Sequence, residues 1–324
     1  MMKAIALISG GLDSSLAAKF IKAQGIEVIG LRFKIPFCLK GNRNLPDLGI
    51  QIKEADINDD FLEMLKNPRY GYGANMNPCI DCKILMLSKA GELMGEYGAS
   101  FIITGEVLGQ RPMSQHKQVL LTIATRAGLE GLVLRPLSAQ LLPETIPEKE
   151  GWVKRDKLLS FNGRGRRQQI ELAKTLGIQE YAQPAGGCLL TDAQFSKRLG
   201  DLIKFGPYDL HNVELLKTGR HFRLSAEAKL AVGRNERENR EIEELAQEGD
   251  LLFFPPAEIA GPTSLGRGKF TEEEIKSCAG ITARYCDLEG QQAIDITYRI
   301  FPNKEERILT VSPIPDGESA KFRL

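Results

Sequence analysis

The stretch Lys3-Ala4-Ile5-Ala6-Leu7-Ile8-Ser9-Gly10-Gly11-Leu12-Asp13-Ser14-Ser15 decides the fold. Lys3 to Ile8 is a short apolar run that reads as a strand, and Ser14 to Gln24 has the spacing of an amphipathic helix. Between them, two glycines let the backbone turn tightly and approach a ligand, and the free amides of a helix start favour an anion. Ser and Asp are also favoured helix caps, so a capped turn would use the same residues. No Gly-Lys-Ser/Thr follows, and the G-x-G-x-x-G spacing of dinucleotide folds is missing.

Outward from this loop, strand and helix signals alternate. Glu27 to Phe33 is a second apolar run. Lys83 to Tyr97 reads as a helix ending at Gly98, and Ser100 to Thr104 as a strand stopping at Gly105. This order predicts an α/β fold with a doubly wound parallel sheet. Ligands of such sheets sit beyond the carboxyl ends of the strands, so Ser9, Phe33 and Thr104 are expected to converge.

A length of 324 residues suggests about two domains. We expect a catalytic domain over 1–190, a connector over 191–216 and a smaller α+β domain over 217–324, with a charged helix from Glu236 to Gln247. No apolar run approaches about 18 residues, which excludes a membrane-spanning helix. The opening residues read as a strand without a cleavage site, which predicts a cytoplasmic protein without a secretory signal. The 43 basic and 42 acidic side chains nearly cancel, but they are unevenly placed. Residues 1–190 hold 24 basic and 19 acidic, residues 191–324 hold 19 and 23.

The Ser9–Ser14 stretch resembles the Ser-Gly-Gly-x-Asp-Ser signature of the PP-loop ATP pyrophosphatase families. The resemblance implies an enzyme that cradles ATP and Mg2+, breaks the α–β phosphate bond and transfers AMP to a substrate oxygen. It implies ATP contacts at Ser9, Gly10, Gly11, Asp13, Ser14, Ser15, Thr104 and Gly105, a catalytic role for Asp13, and adenine beside Phe33. Thr104-Gly105-Glu106-Val107-Leu108-Gly109-Gln110, with Ser114-Gln115, looks like the matching strand end of tRNA 4-thiouridine synthetases. The tRNA 2-thiouridylases are the neighbouring branch. With the first strand opening at Lys3, the RNA-binding portion that bacterial 4-thiouridine synthetases carry before it is expected to be absent.

Cys79 and Cys82 lie three residues apart where a loop enters a helix, a place that favours thiolates and suits a redox pair or two metal ligands. Asp81 between them would position substrate or cap the helix. A Cys₂His₂ zinc site with His116, His211 or His221 has no spacing to recommend it. Cys188 follows the turn-like Gln183-Pro184-Ala185-Gly186-Gly187. A Cys-x-x-Cys pair plus one distant cysteine on a PP-loop domain resembles the thiolation enzymes that hold a 4Fe–4S cluster on three cysteines, leaving one iron open to hydrosulfide. The alternative is a cysteine persulfide relay without a cluster. Cys38, Cys278 and Cys286 read as packing residues.

Lys154, Arg155, Arg164, Arg166 and Arg167 fall in a basic window, 150–174, with glycines at 163 and 165, which suits a phosphate backbone. Phe161 is the aromatic residue at hand for base stacking. Farther on, Gly219-Arg220-His221-Phe222-Arg223-Leu224, Val232-Gly233-Arg234-Asn235, Gly249-Asp250-Leu251-Leu252-Phe253 and Gly261-Pro262-Thr263 look like the RNA-binding domain of NFACT-type proteins. Pro255-Pro256 stands where that family usually has His-Ala. A tRNA-docking role there requires Arg220, Arg223, Arg234 and Arg237 on one exposed surface.

Together these features point to an ATP-dependent tRNA uridine sulfurtransferase. Its partners would be tRNA and sulfide or a sulfur-donor protein, with a homodimer admitted and no membrane. A PP-loop amidotransferase or ligase acting on a small molecule, and a non-catalytic RNA-binding module, are the rival readings.

Overall fold

The computed structural model describes residues 2–37, 47–178, 181 and 188–324. Cys38 and the Gln183–Gly187 turn lie outside the described residues. The chain divides into two compact units, Met1–Thr191 and Asp192–Leu324.

The first unit holds β1 (Lys3–Leu7), α1 (Leu12–Lys22), β2 (Glu27–Lys34), β3 (Gln51–Asp56), α2 (Asn58–Lys66), α3 (Cys79–Tyr97), β4 (Phe101–Ile103), α4 (Lys117–Arg126), β5 (Val133–Leu134), α5 (Ile146–Lys149) and α6 (Arg167–Thr175). Its sheet has the order β3-β2-β1-β4-β5, and every pairing is parallel. Ile5 is in register with Ile29 on one side and Ile102 on the other. A central parallel strand is covered on both faces, which is why β1 is apolar throughout its middle rather than alternating. Leu16, Ala17 and Ile21 of α1 pack with Phe101, Ile103 and Phe161 in one core; Leu87 and Ala90 of α3 pack with Ile5, Leu31, Ile102 and Ile123 in another. The doubly wound architecture read from the sequence is the one observed.

The second unit holds α7 (Ala193–Phe205), α8 (Leu210–Leu215), β6 (Arg220–Arg223), β7 (Ala228–Val232), α9 (Glu236–Glu244), β8 (Leu251–Phe254), β9 (Ser264–Gly268), α10 (Glu272–Ala283), β10 (Ile294–Ile300), β11 (Glu306–Val311) and α11 (Asp316–Phe322). Its sheet, β11-β10-β8-β9-β7-β6, is antiparallel. Cys278, Ala279 and Ile281 of α10 pack on Phe222, Leu230 and Phe253, while Ile242 of α9 packs with Ala231, Leu252 and Leu265. Residues expected to be a connector form α7 and α8, each N-capped by an aspartate: Asp192 accepts from Phe195 N–H (2.6 Å) and Asp209 from Asn212 N–H (2.8 Å). Among the described residues no helix is long and apolar enough to cross a membrane.

Candidate nucleotide and sulfur site

The loop after β1 is held by its own hydroxyls. Gly10 has φ +76°, a conformation that a side chain disfavours, and Gly11 is extended at the N-cap of α1. Ser9 N–H donates to Ser14 Oγ (3.2 Å), and Gly11 N–H to Ser9 Oγ (3.3 Å). The hydroxyls of Ser14 and Ser15 donate to the Gly11 carbonyl (3.0 and 3.1 Å). Ser15 is fully buried, so its hydroxyl braces the loop from behind.

The end of β4 presses on this loop. A Cβ on Gly105 would lie 2.6 Å from the Asp13 carbonyl oxygen and still closer to the Asp13 carbonyl carbon and Ser14 nitrogen. Asp13 Oδ2 accepts from Gln110 Nε2 (3.1 Å) and lies 3.5 Å from Arg166 Nη2. Burial raises the Asp13 carboxyl above its ordinary value, against the opposing pull of the Gln110 hydrogen bond and the charges of Arg166 and Arg111. Asp13 Oδ1 is buried without a partner. A partnerless carboxylate oxygen is a ligand type that Mg2+ takes, and helix-start amides are donors that phosphate oxygens take, so the residues of the loop fit Mg·ATP.

One residue past Gly105, Glu106 accepts from Thr104 Oγ1 (3.2 Å) and Arg135 Nε (2.9 Å) and pairs with Lys83. Burial alone would raise its carboxyl, but the Lys83 and Arg135 charges outweigh that and hold it down at about 2. Arg135 is anchored further by donating to the Leu120 carbonyl (3.0 Å). Lys83 is the fifth residue of α3, so this pair ties the thiol-bearing start of that helix to the strand end behind the loop. Sequence reading missed Arg135 as a site residue. Its signal was its place directly after the apolar pair Val133-Leu134, at a strand's carboxyl end.

The helix of the two cysteines begins at Cys79, four residues before Lys83, where the sequence reading had begun it. Cys79 and Cys82 therefore both lie in its first turn, half-buried, and Cys79 Sγ donates to Asn77 Oδ1 (2.9 Å). Asp81 is buried and accepts from the backbone N–H groups of Arg69 and Tyr70 (both 3.0 Å), holding the preceding loop in place. The Cys188 segment docks against the entry to this helix: Met76 N–H donates to the Leu190 carbonyl (3.2 Å), and Asn75 Nδ2 to the Thr191 carbonyl (2.8 Å). The three cysteines thus sit on neighbouring segments. Among the described residues, however, no three His, Cys, Asp or Glu side chains are gathered as a metal site. The thiols suit a cluster chemically but do not stand as a preassembled ligand set. Phe33 is half-buried at the end of β2 and packs on the core beside Leu31 and Leu87.

The basic window splits by environment. Asn162-Gly163 docks on Leu108, with Gly163 N–H donating to the Leu108 carbonyl (2.8 Å), and this brings Arg166 to Asp13. Arg155 pairs with buried Glu148 and donates to the Leu142 carbonyl (3.1 Å), which makes it a structural brace. Lys154, Arg164 and Arg167 are exposed, with Arg167 paired to Glu171 on its own helix (3.1 Å). Phe161 is buried in the core, which removes it as a stacking platform.

In the second unit the arginines do not form one exposed surface. Arg223 is clamped by Asp201 (2.6 Å), Arg220 lies over the Tyr285 ring (4.4 Å), and Arg234 and Arg237 pair with Glu238 and Glu241 on α9. Cys278 is a core residue whose thiol burial pushes far up, and burial raises Cys286 to about 11. His221 is buried and His211 Nε2 contacts the Leu245 carbonyl (2.8 Å).

Residues 219–323 match the family model described as the NFACT protein RNA binding domain. The tRNA-specific 2-thiouridylase MnmA of Pelobacter propionicus is 34% identical over 119 residues, which cover 32% of this chain and 33% of that one. A probable tRNA sulfurtransferase of Thermococcus kodakarensis is 29% identical over 33% of this chain and 30% of its own length. The chain spans about a third of the length of the curated relatives it matches. Among solved structures, a 4-thiouridine synthetase–RNA complex with bound ATP aligns with 56% of this chain and 43% of that one, at 23% identity and a TM-score of 0.37. The chain is thus similar over about a third of its length to tRNA-specific 2-thiouridylases, and its residues 219–323 are similar to the NFACT protein RNA binding domain.

Proposed function

We propose that the chain is an ATP-dependent tRNA sulfurtransferase that activates a uridine carbonyl oxygen with AMP and replaces it with sulfur. The Lys83–Glu106 pair carries this reading, because it joins the first turn with Cys79 and Cys82 to the strand end that packs on the Gly10–Ser15 loop.

The uracil carbonyl oxygen attacks the α-phosphorus, and the bond to pyrophosphate breaks. The base carbon then carries AMP as its leaving group. A sulfur nucleophile adds to that carbon, and the C–O bond breaks to release AMP. The Gly10 amide, with Arg166, would offset charge that develops on the phosphate oxygens, and Asp13 would hold Mg2+. Ser9 and Ser14 orient the loop, Thr104 and Gly105 form its wall, and the adenine would lie towards Phe33. Lys154, Arg164 and Arg167 are the exposed cations that would meet tRNA.

Cys79, Cys82 and Cys188 would carry the sulfur. Three thiolates suit a 4Fe–4S cluster, which when bound supplies an iron open to hydrosulfide. The same thiols suit a persulfide relay, in which one cysteine's terminal sulfur attacks the base carbon and a second thiolate breaks the S–S bond, closing a disulfide.

Mass spectrometry of tRNA from a strain lacking the protein tests the assignment: a thiouridine is expected to disappear, and survival of all thiouridines overturns it. Cys188→Ser is expected to stop thiouridine formation while tRNA-dependent pyrophosphate release continues. Iron and acid-labile sulfide in anaerobically purified protein decide between cluster and relay.

A further inference from the structure

Strand β7 is buried along all five residues, yet its second residue is a lysine. Lys229 is 7% exposed, and among the described residues its ammonium forms no ion pair or hydrogen bond. Its cross-strand neighbours are also cations: Arg223 on β6 in one register and Arg267 on β9 in the other. Like charges placed opposite one another across a sheet are destabilising, so such a row persists only where something offsets it.

The outer two are offset. Arg223 is held by Asp201 of α7 through both carboxylate oxygens (Nη2–Oδ2 2.6 Å), and Arg267 by Asp250 (2.6 Å), the Leu245 carbonyl (2.8 Å) and Asn212 Oδ1 (3.0 Å). Both guanidiniums are thereby fixed in place. The middle cation forms no ion pair of its own among the described residues, and the three side chains line one cavity of about 240 Å³ with Leu202, Phe205 and Lys269.

We propose that this cavity is an anion site for a phosphoryl group, with Lys229 as its central ligand and Arg223 and Arg267 as flanking donors. Several acceptor oxygens and up to two charges suit three converging cations better than a carboxylate does. The apolar wall leaves room for an organic group on the phosphate. Burial, together with the charges of Arg223, Arg198 and Arg267, pushes the Lys229 amine down to about 7 against the opposing pull of Asp201. Glu227 and Lys269 complete the charged groups lining the cavity. An entering anion therefore draws a proton onto Lys229, and affinity falls as pH rises above about 7.

Calorimetric titration of the full chain with inorganic phosphate tests this. Phosphate bound at the Gly10–Ser15 loop is common to wild type and variants, so the difference between them is the readout. Lys229→Met is expected to remove one binding event or weaken it at least about tenfold. Its melting temperature should hold or rise, because an unpaired buried charge is gone. Lys229→Arg is expected to keep binding but lose the part of the pH dependence that belongs to the lysine; the ionisation of phosphate itself is the same for both proteins. Identical isotherms for wild type and Lys229→Met overturn the proposal. Short RNAs with and without a 5′-phosphate distinguish the sources. Equal weakening of both by Lys229→Met assigns an RNA backbone phosphate, and weakening of the phosphorylated RNA alone assigns a terminal one. Unchanged RNA binding beside lost phosphate binding assigns a small phosphorylated compound. These readouts follow phosphate and not thiouridine, so the site stands or falls apart from the thiolation reading.

Discussion

Gly105 and Asp13 share one space: the position a Cβ would occupy on Gly105 is 2.6 Å from the Asp13 carbonyl oxygen. Both partners of this contact are backbone, so neither can swing aside as a flexible side chain would. The end of β4 therefore sets the position of the first turn of α1 and the loop before it.

Gly105→Ala should displace that turn. Such overpacking costs about 1–3 kcal/mol. We expect a lower melting temperature and loss of tRNA-dependent pyrophosphate release, the second persisting at temperatures where the variant is still folded by circular dichroism.

Asp13→Asn separates activity from stability. Burial penalises the ionised carboxylate of the folded protein, so the neutral amide should melt at the same temperature or higher. Pyrophosphate release is expected to fall at least about a hundredfold, the scale of losing one electrostatic contact to a transition state. A variant that retains activity would remove Asp13 from the reaction.

Glu106 should leave its mark on acid unfolding. Its folded-state value of about 2 lies below the ordinary 4.5, so its contribution is fully present above about pH 4.5 and is lost as pH falls towards 2. Glu106→Gln leaves Lys83 and Arg135 without their counter-charge, which for a buried pair costs about 3–5 kcal/mol. Urea midpoints measured from neutral to acid pH are expected to be lower for the variant and to lose this part of their pH slope.

The basic window should divide under mutation as it does in space. Arg155→Ala strands the buried Glu148 carboxylate and is expected to lower stability by about 3 kcal/mol. Arg164→Glu with Arg167→Glu should leave stability alone. It should weaken RNA binding and reduce the salt slope of log K by about 1–2, the share of two phosphate contacts. Filter binding across a salt series, with melting curves, reads both.

Much of the first unit was legible because its signals are local. Periodicity marked β1, β2, α3 and β4, and the two glycines after β1 marked the loop. What escaped the sequence was pairing across distance. Arg155 and Arg223 read as available cations, yet each is claimed by a carboxylate, Glu148 or Asp201, supplied by a separate helix. Arg166 read as an RNA contact, and it reaches Asp13 only because Asn162-Gly163 docks on Leu108. The same docking buries Phe161, which the sequence left free for stacking. Charge and aromaticity are properties of single residues, whereas availability depends on what the fold brings opposite them.

The strand order β3-β2-β1-β4-β5 also has a consequence for synthesis. The Gly10–Ser15 loop leaves the ribosome before its wall, Gly105, which follows about ninety residues later, and Arg166 comes about sixty residues after that. At about 5–20 residues per second, the loop waits for several seconds without the groups that shape it. Throughout that interval β1 also lacks one of its two flanking strands, an open edge of apolar residues that other nascent chains can pair with. The loop's wall and its arginine thus arrive well after the signature they enclose has been made.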